Sequence, residues 1–293
     1  MTLSSDKHQE TLSAKPFVKW LGGKRQLLPE LEARLPEKID VYFEPFLGGG
    51  ALFFHLASRI EQAYLSDKNE ELITAYQAIR SSPNLLIKEL AKHKNTEEHF
   101  QQIRDADRDA DYKWNWSPIQ KAARFIYLNK TCFNGLYRVN SSGEFNVPFG
   151  HYPNPKIVDE ENISACHQVL NQHGVFIQPR SYDSVYAEVQ SLVNLGRNVF
   201  VYLDPPYIPL SVTSSFTQYS KDGFTMKDQK DLKSFCDSLT NIGVKWMQSN
   251  SSAPILFELY KEYKVDVVSA HRGISANPLA RKIVSETIVR NYE

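Results

Sequence analysis

Val199-Phe200-Val201-Tyr202-Leu203-Asp204-Pro205-Pro206-Tyr207 reads as a buried strand that ends in a carboxylate, two prolines and an aromatic ring. That exit suits work on an exocyclic amine. Asp204 and the carbonyl of Pro205 can accept hydrogen bonds from an amino group, while neither proline nitrogen has a hydrogen to offer in competition. Tyr207 supplies a ring face, and stacking a planar base on such a ring is worth about 1–3 kcal/mol. An ordinary strand-to-loop exit punctuated by prolines is the bland alternative for the tetrapeptide taken alone.

Further short apolar runs at Val41–Pro45, Ala63–Ser66, Val175–Gln178, Val244–Ser249, Val265–Ser269 and Val284–Arg290 also read as buried strands, many of them separated by helical patterns. Strands alternating with helices imply an α/β chain with a mostly parallel sheet covered on both faces. The clearest helix is Met226–Ile242, with Thr225 and Asp228 as a capping-box start and Gly243 at its C-terminal end. Between about Asn69 and Gly174 the pattern turns helical, over Glu70–Arg80, Asn84–His93 and Pro118–Lys130. Near the end of this stretch, residues alternate on either side of Asn140-Ser141-Ser142-Gly143, a turn-forming quartet expected at the tip of a β-hairpin. The expected division is a main α/β domain over 15–68 and 174–293, an inserted domain over 69–173, and a polar tail over 1–14.

Glu44-Pro45-Phe46-Leu47-Gly48-Gly49-Gly50 follows the first expected strand and precedes a helix-compatible stretch. Successive glycines let backbone approach a ligand where side chains would collide. The pattern is not GxGxxG, which counts against a dinucleotide cofactor. Asp67 ends the next strand, where an acidic residue in this class of fold can bond ribose hydroxyls. The order strand, glycines, helix, strand, acid therefore favours a nucleoside cofactor. Earlier, Pro16-Phe17-Val18-Lys19-Trp20-Leu21-Gly22-Gly23-Lys24 places two lysines and an indole around a glycine turn, and reads equally as a ligand-facing element or a packed arm.

Lys+Arg and Asp+Glu both number 34, so charge balance makes no case for a polyanionic partner and any nucleic-acid face must come from local clustering. Cys132, Cys166 and Cys236 are odd in number and form no CxxC pair, which argues for a reducing cytoplasm over a disulfide scaffold or zinc site. The histidines show no ligand spacing, and no metal is expected. The polar N-terminus lacks the apolar run of a signal peptide, and no stretch of about 20 apolar residues is present to span a bilayer. A cytoplasmic location with no membrane or obligate protein partner is the expectation.

With these residues in hand, the chain resembles the Dam-type adenine-specific DNA methyltransferases. The likeness runs from about Phe17 to Arg290 through FVKWLGGK, EPFLGGGALF, LSDKNEELI, FNGLYRVN with GEFNVPFG, and DPPYIPLS, in that order. It implies a Rossmann-like methyltransferase sheet, S-adenosylmethionine as cofactor, double-stranded DNA as partner, and an inserted, mostly helical target-recognition region carrying the β-hairpin. Carried over residue by residue, the resemblance puts Trp20, Lys24, Glu44, Phe46, Gly48, Gly50, Asp67 and Asp204 at the cofactor. It puts Asp204, Pro205, Pro206 and Tyr207 at the target adenine. Lys19, Phe133, Asn134, Arg138, Pro148 and Tyr152 fall where such enzymes meet DNA, commonly at GATC. His151 stands where some members have arginine, so contacts flanking the site differ.

Adenine inside a duplex cannot reach a cofactor at the sheet edge, so the reading requires the base to be extruded, at a cost of a few kcal/mol. Arginine can grip guanine bidentately in the major groove, and Arg138 near the hairpin tip is the first candidate for that role. Lys130, Arg124, Arg272, Arg281 and Lys282 are candidates for phosphate contact, with solvated surface charge the alternative for each. Methylation of cytosine, an RNA base or a glutamine amide is the nearest competing chemistry. A catalytically silent DNA-binding regulator is the competing class, opposed by the intact Asp204–Tyr207 and Gly48–Gly50.

Overall fold

In the computed structural model, which describes residues 14–210, 224–271 and 283–293, all seven expected strands are present. They are β1 (Val41–Glu44), β2 (Gln62–Asp67), β3 (Val175–Pro179), β4 (Val199–Leu203), β5 (Lys245–Ser251), β6 (Lys264–His271) and β7 (Ile283–Arg290). They form one sheet in the order β3-β2-β1-β4-β5-β7-β6. β1 pairs in parallel with both β2 and β4, whereas β7 runs antiparallel between β5 and β6. This is a mostly parallel α/β sheet, the Rossmann-like architecture expected, with a reversed strand near one edge.

The apolar runs are explained by burial on both faces. Val41 and Phe43 of β1, with Val199, Val201 and Leu203 of β4, pack into one apolar cluster, while Tyr42, Phe200 and Tyr202 point into the other. Alternation with period two thus sends successive side chains to opposite faces, and neither face is wet. The first cluster includes Val189, Leu232, Phe235 and Leu256, from α9 (Tyr186–Asn194), α10 (Met226–Asn241) and α11 (Pro254–Leu259). The capping box of α10 is formed by Thr225 and Asp228, and Gly243 just beyond its end has φ +78°. The second cluster runs through α2 (Ala51–Leu56) and continues into helices between β2 and β3. α1 (Leu28–Glu32) adds Leu31 to it. Among the described residues no helix is long and apolar enough to cross a membrane.

Residues 70–170 contain α3 (Glu70–Ser81), α4 (Pro83–Leu90), α5 (Glu97–Asp105), α6 (Ala110–Asn115), α7 (Pro118–Thr131) and α8 (Glu160–Leu170). α7 starts with a capping box from Ser117 and Gln120 and is buried along most of its length. The expected hairpin is reduced to a chain reversal with two isolated antiparallel bridges, Val139 with Phe145 and Cys132 with Phe149. The turn itself is well made: Asn140 N–H donates to the Glu144 carbonyl at 2.8 Å, and the Asn140 side chain accepts from the Ser142 and Glu144 amides. A continuous ladder fails for two local reasons. Pro148 has no N–H to donate, and Asn134 takes a left-handed φ of 56° inside a single 3-10 turn, Phe133–Gly135.

Arg124 corrects one expectation. Its side chain is 1% exposed, with Nη2 2.6 Å from Asp107 Oδ2 and Nη1 3.3 Å from Glu71 Oε1. Its Nε and Nη2 also donate to the Ile103 and Arg104 carbonyls. Such a guanidinium is committed to holding α7 against α3 and the segment after α5, and is closed to a DNA phosphate. Arg272, Arg281 and Lys282 lie outside the described residues. Arg124→Ala should cost about 3–5 kcal/mol, the range for stripping one partner from a buried ion pair. The urea unfolding midpoint measures it, and an unchanged midpoint with weakened DNA binding would restore the phosphate role.

Candidate active site

β1 and β4 lie side by side, yet the chain leaves β1 toward β2 and reaches β4 only after β3, on the far side of β2. Connections therefore diverge at the C-terminal ends of these two strands, which opens a crevice there. The glycine loop after β1 and the Asp204–Tyr207 turn after β4 both face that opening.

The loop needs its glycines. Gly48 and Gly50 have φ of +47° and +65°, and a Cβ on Gly48 would come within 2.5 Å of Trp20 Cδ1, one on Gly50 within 2.7 Å of the Tyr76 hydroxyl. Trp20 thus closes over the loop from one side, and itself stacks on Tyr137 with ring centroids 5.8 Å apart. From below, Tyr76 donates its hydroxyl to the Gly48 carbonyl at 3.1 Å. Asp67 accepts from the Gly48 N–H and the Asn69 N–H, each at 2.9 Å. Burial raises the Asp67 carboxyl above its ordinary value while these amide donors oppose the rise. Asp67 is therefore at the loop, as expected, and also fastens it to β2. Phe46 lies on the other flank, stacked on Tyr182 at 5.2 Å with Phe224 edge-on at 6.0 Å.

Carboxylates crowd the ends of β1 and β4. Glu44 is buried, accepts the Tyr42 hydroxyl at 2.8 Å, and has its carboxyl pushed up to about 8, chiefly by desolvation with Asp204 adding to it. It carries a proton at neutrality. Asp204 is pushed up to about 6 by desolvation, against which the Lys24 ammonium pulls, while Glu286 and Asp67 push the same way as burial. Lys24 Nζ sits 2.7 Å from Asp204 Oδ1, an ion pair whose angle falls short of a well-formed hydrogen bond. Lys24 also donates to the Gly22 carbonyl and lies 4.9 Å from the centroid of the Tyr207 ring. Lys24, Asp204 and Tyr207 are accordingly brought into one contact group.

Residues not anticipated from sequence hold the turn. Gln229 Nε2 donates to the Pro206 carbonyl at 2.8 Å, Asn250 Oδ1 accepts from Ile208 N–H at 3.0 Å, and Ser251 Oγ donates to the Ile208 carbonyl at 2.5 Å. Tyr207 donates its hydroxyl to Glu286 Oε2 at 2.7 Å. A polar Gln229 on the buried face of α10 and an acidic Glu286 within β7 were the available signals.

The other expected site residues gather on a second surface. Tyr152 accepts from Asn134 N–H at 2.9 Å, and Lys19 Nζ lies 4.7 Å from its ring centroid. Phe133 N–H donates to the Pro148 carbonyl at 2.9 Å, leaving the Phe133 side chain 45% exposed. Arg138 is exposed, braced by Asn146 Oδ1 at 2.6 Å and the Asn146 carbonyl at 3.2 Å. Asn129 staples these pieces together, accepting from Lys19 N–H and donating to the Lys19 and Gly135 carbonyls. Lys19, Lys130, Lys156 and Tyr152 line a shallow cavity beside them. Burial pushes the Lys130 ammonium below its usual range, Asp159 opposing, while Lys156 pairs with Asp159 at 2.7 Å. His151 is exposed, at φ 51°, edge-on to Phe149.

A mostly parallel sheet with a glycine loop after β1 and a carboxylate, two prolines and an aromatic ring after β4 defines a methyltransferase of the amine-modifying class. Residues 20–274 match the family model of the D12 class N6 adenine-specific DNA methyltransferases, and the chain belongs to that family. It is 43% identical to the Type II methyltransferase M1.LlaDCHI of Lactococcus lactis subsp. cremoris, over 96% of each chain. It is 37% identical to the Type II methyltransferase M.MjaIII of Methanocaldococcus jannaschii, over 96% of this chain and 100% of that one. Identity to the DNA adenine methylase of Escherichia coli K12 is 32%, over 94% of each chain.

Glu44 ties the site to stability. Its folded carboxyl titrates near 8 against an ordinary value of 4.5, so the unfolded chain ionises first and stability falls as pH rises from 4.5 through 8. Each pH unit inside that window costs up to about 1.4 kcal/mol. Glu44→Gln, which keeps an acceptor for Tyr42, should flatten the dependence and raise the melting temperature at pH 8. Parallel wild-type and variant melting curves between pH 5 and 8 would argue against a neutral buried Glu44.

Proposed function

We propose that this adenine-specific DNA methyltransferase uses S-adenosylmethionine, acts on duplex DNA at GATC-type sites, and rotates the target adenine out of the helix. The observation that carries the reading is the contact group of Lys24, Asp204 and Tyr207 at the crevice shared with the glycine loop. The residues present fit the cofactor. Glycine at 48 and 50 lets the loop backbone close against Trp20 and Tyr76, Asp67 offers a carboxylate for ribose hydroxyls, and Phe46 with Tyr182 offers an aromatic wall. When bound, S-adenosylmethionine supplies a methyl group on a positively charged sulfonium that becomes neutral on transfer.

The protein's part is positioning. Tyr207 stacks on the extruded base, offsetting the cost of breaking it out of the duplex. Asp204 and the Pro205 carbonyl accept the two amino hydrogens, drawing the nitrogen lone pair out of the ring's delocalised system. Lys24 keeps Asp204 ionised against desolvation. With its carboxyl near 6, Asp204 is also suited to take the proton that the amine sheds. Water is held off by Trp20 on one flank and the Phe46 cluster on the other.

The surface of Lys19, Phe133, Asn134, Arg138, Pro148 and Tyr152 is read as the DNA face. Phe133 is an exposed ring suited to wedge into the space the adenine leaves. Arg138 is read as a guanine contact, its fork oriented by Asn146. Lys19, Lys130 and Lys156 make the local positive cluster that the balanced overall charge requires for a phosphate track. Incubating the protein with radiolabelled S-adenosylmethionine and a panel of duplexes, then sequencing the modified bases, tests the whole reading. Label on cytosine, on RNA, or on no base would overturn it.

Asp204→Ala should abolish methylation while leaving a folded protein that still binds duplex DNA. The wild-type profile of kcat/KM should fall on the acid side with an apparent pKa about 6, as the acceptor becomes protonated. Substantial turnover by the alanine variant, or a flat profile from pH 5 to 7, counts against Asp204.

Arg138→Ala should lose about 1–3 kcal/mol of discrimination at one guanine position, so near-cognate sites altered there are methylated relatively better. The assay is a duplex panel holding every single-base change of GATC, at fixed salt. A uniform loss across the panel would make Arg138 a backbone clamp.

A further inference from the structure

Glu286 brings a carboxylate to the site from β7, the strand that runs against the rest of the sheet. Its register partner on β5 is Ser251, whose hydroxyl holds the Ile208 carbonyl of the catalytic turn. Thr287 Oγ1 donates to the Ser251 carbonyl at 3.0 Å and Ser252 Oγ to the Ser285 carbonyl at 3.2 Å, so the segment around Glu286 is pinned on both sides. From this rigid base Glu286 Oε2 accepts the Tyr207 hydroxyl at 2.7 Å.

Tyr207 itself sits on a loop. Backbone bonds through Asn250 and Ser251 fix Ile208, the next residue, but do not set the plane of the Tyr207 ring. A ring free to turn about its two side-chain torsions would have to be ordered each time a base stacked on it, at a cost in entropy. A short hydrogen bond from the far end of the ring to a strand removes that freedom beforehand.

We infer that Glu286 is a positioning residue for base capture: it holds the Tyr207 ring by its hydroxyl in the plane on which the extruded adenine stacks. This rests on the reading of Tyr207 as the stacking platform. Glu286 acts through the tyrosine, whose hydroxyl it holds. A consequence is that the Tyr207 hydroxyl contributes as well as the ring, so Tyr207→Phe is weaker than wild type although it keeps the stacking face.

The test uses the full chain, S-adenosylmethionine and duplexes carrying a fluorescent adenine analogue at the target position, whose emission rises on extrusion, alongside steady-state methylation of unmodified duplexes. Glu286→Ala should lower kcat and the extruded fraction by about tenfold, the scale of one hydrogen bond to a charged acceptor. Duplex affinity should stay within about twofold, because the DNA face is built from other residues. Glu286→Gln, which still accepts the hydroxyl, should recover most of the emission. Tyr207→Phe should match Glu286→Ala, and the double variant should be no worse than either alone, since both remove the same bond.

Additive losses in that double variant would overturn the inference, as would failure of the glutamine variant to restore emission or a loss of melting temperature and DNA affinity that parallels the loss of emission. Tyr207→Ala serves as the control. Collapse of emission in Tyr207→Ala with no effect of Glu286→Ala sinks the positioning role alone. Unchanged emission in Tyr207→Ala sinks the stacking reading, and this inference with it.

Discussion

The site depends on β1 and β4 being neighbours while their onward connections run apart. Parallel pairing of Tyr42 with Phe200 and Phe43 with Val201 brings two loop starts, Glu44–Gly50 and Asp204–Tyr207, to the same edge. Because both faces of these strands are covered, their side chains are aliphatic or aromatic until the strands end, and the first carboxylates, Glu44 and Asp204, appear there. Polarity at the strand ends is thus a consequence of packing as well as chemistry. In this chain it concentrates carboxylates where a nucleoside and a base would meet.

That concentration has an electrostatic cost which one lysine offsets. Glu44, Asp67, Asp204 and Glu286 approach the crevice together, and like charges in a low-dielectric site cannot all ionise freely. Glu44 escapes by keeping its proton, with Tyr42 hydrogen-bonded to it. Asp67 is compensated by the Gly48 and Asn69 amides. Among the described residues Asp204 is the one of the four paired with a cation, and Lys24 lies nearly buried against it. The environments therefore hold Glu44 neutral and Asp204 charged at the same pH, leaving one strong acceptor aimed at the opening.

A second buried ionic group links the crevice to the surface that carries Arg138. Glu71 accepts the hydroxyls of Tyr112 and Tyr137 and pairs with Arg124, which pairs in turn with Asp107. Asp107 accepts the Phe145 N–H at the base of the chain reversal, and Tyr137 stacks on Trp20 above the glycine loop. The reversal carrying Arg138 thereby stands on a frame shared with the wall of the crevice. Phe100, Tyr127 and Tyr42 belong to one continuous apolar cluster, so the helices after β2 are packed on the sheet through common core.

The sequence by itself determined what is local: the seven strands, the capping box of α10, the glycine loop and the carboxylate–proline–proline–tyrosine exit. These signals are local because period-two burial, left-handed glycines and missing proline N–H groups act within a few residues. Tertiary structure decided the rest. Whether Arg124 faced solvent or Asp107 depended on how helices pack, and composition is blind to that. The partners of the Asp204–Tyr207 turn and the residue after it are remote, Asn250 lying 42 residues from Ile208 and Glu286 79 residues from Tyr207. They meet because β5 takes the place beside β4 and β7, reversed in direction, pairs with the far edge of β5. The weakened hairpin shows the converse, since turn residues specified the reversal at Asn140 but only the paths of Asn134 and Pro148 decided that no ladder would follow.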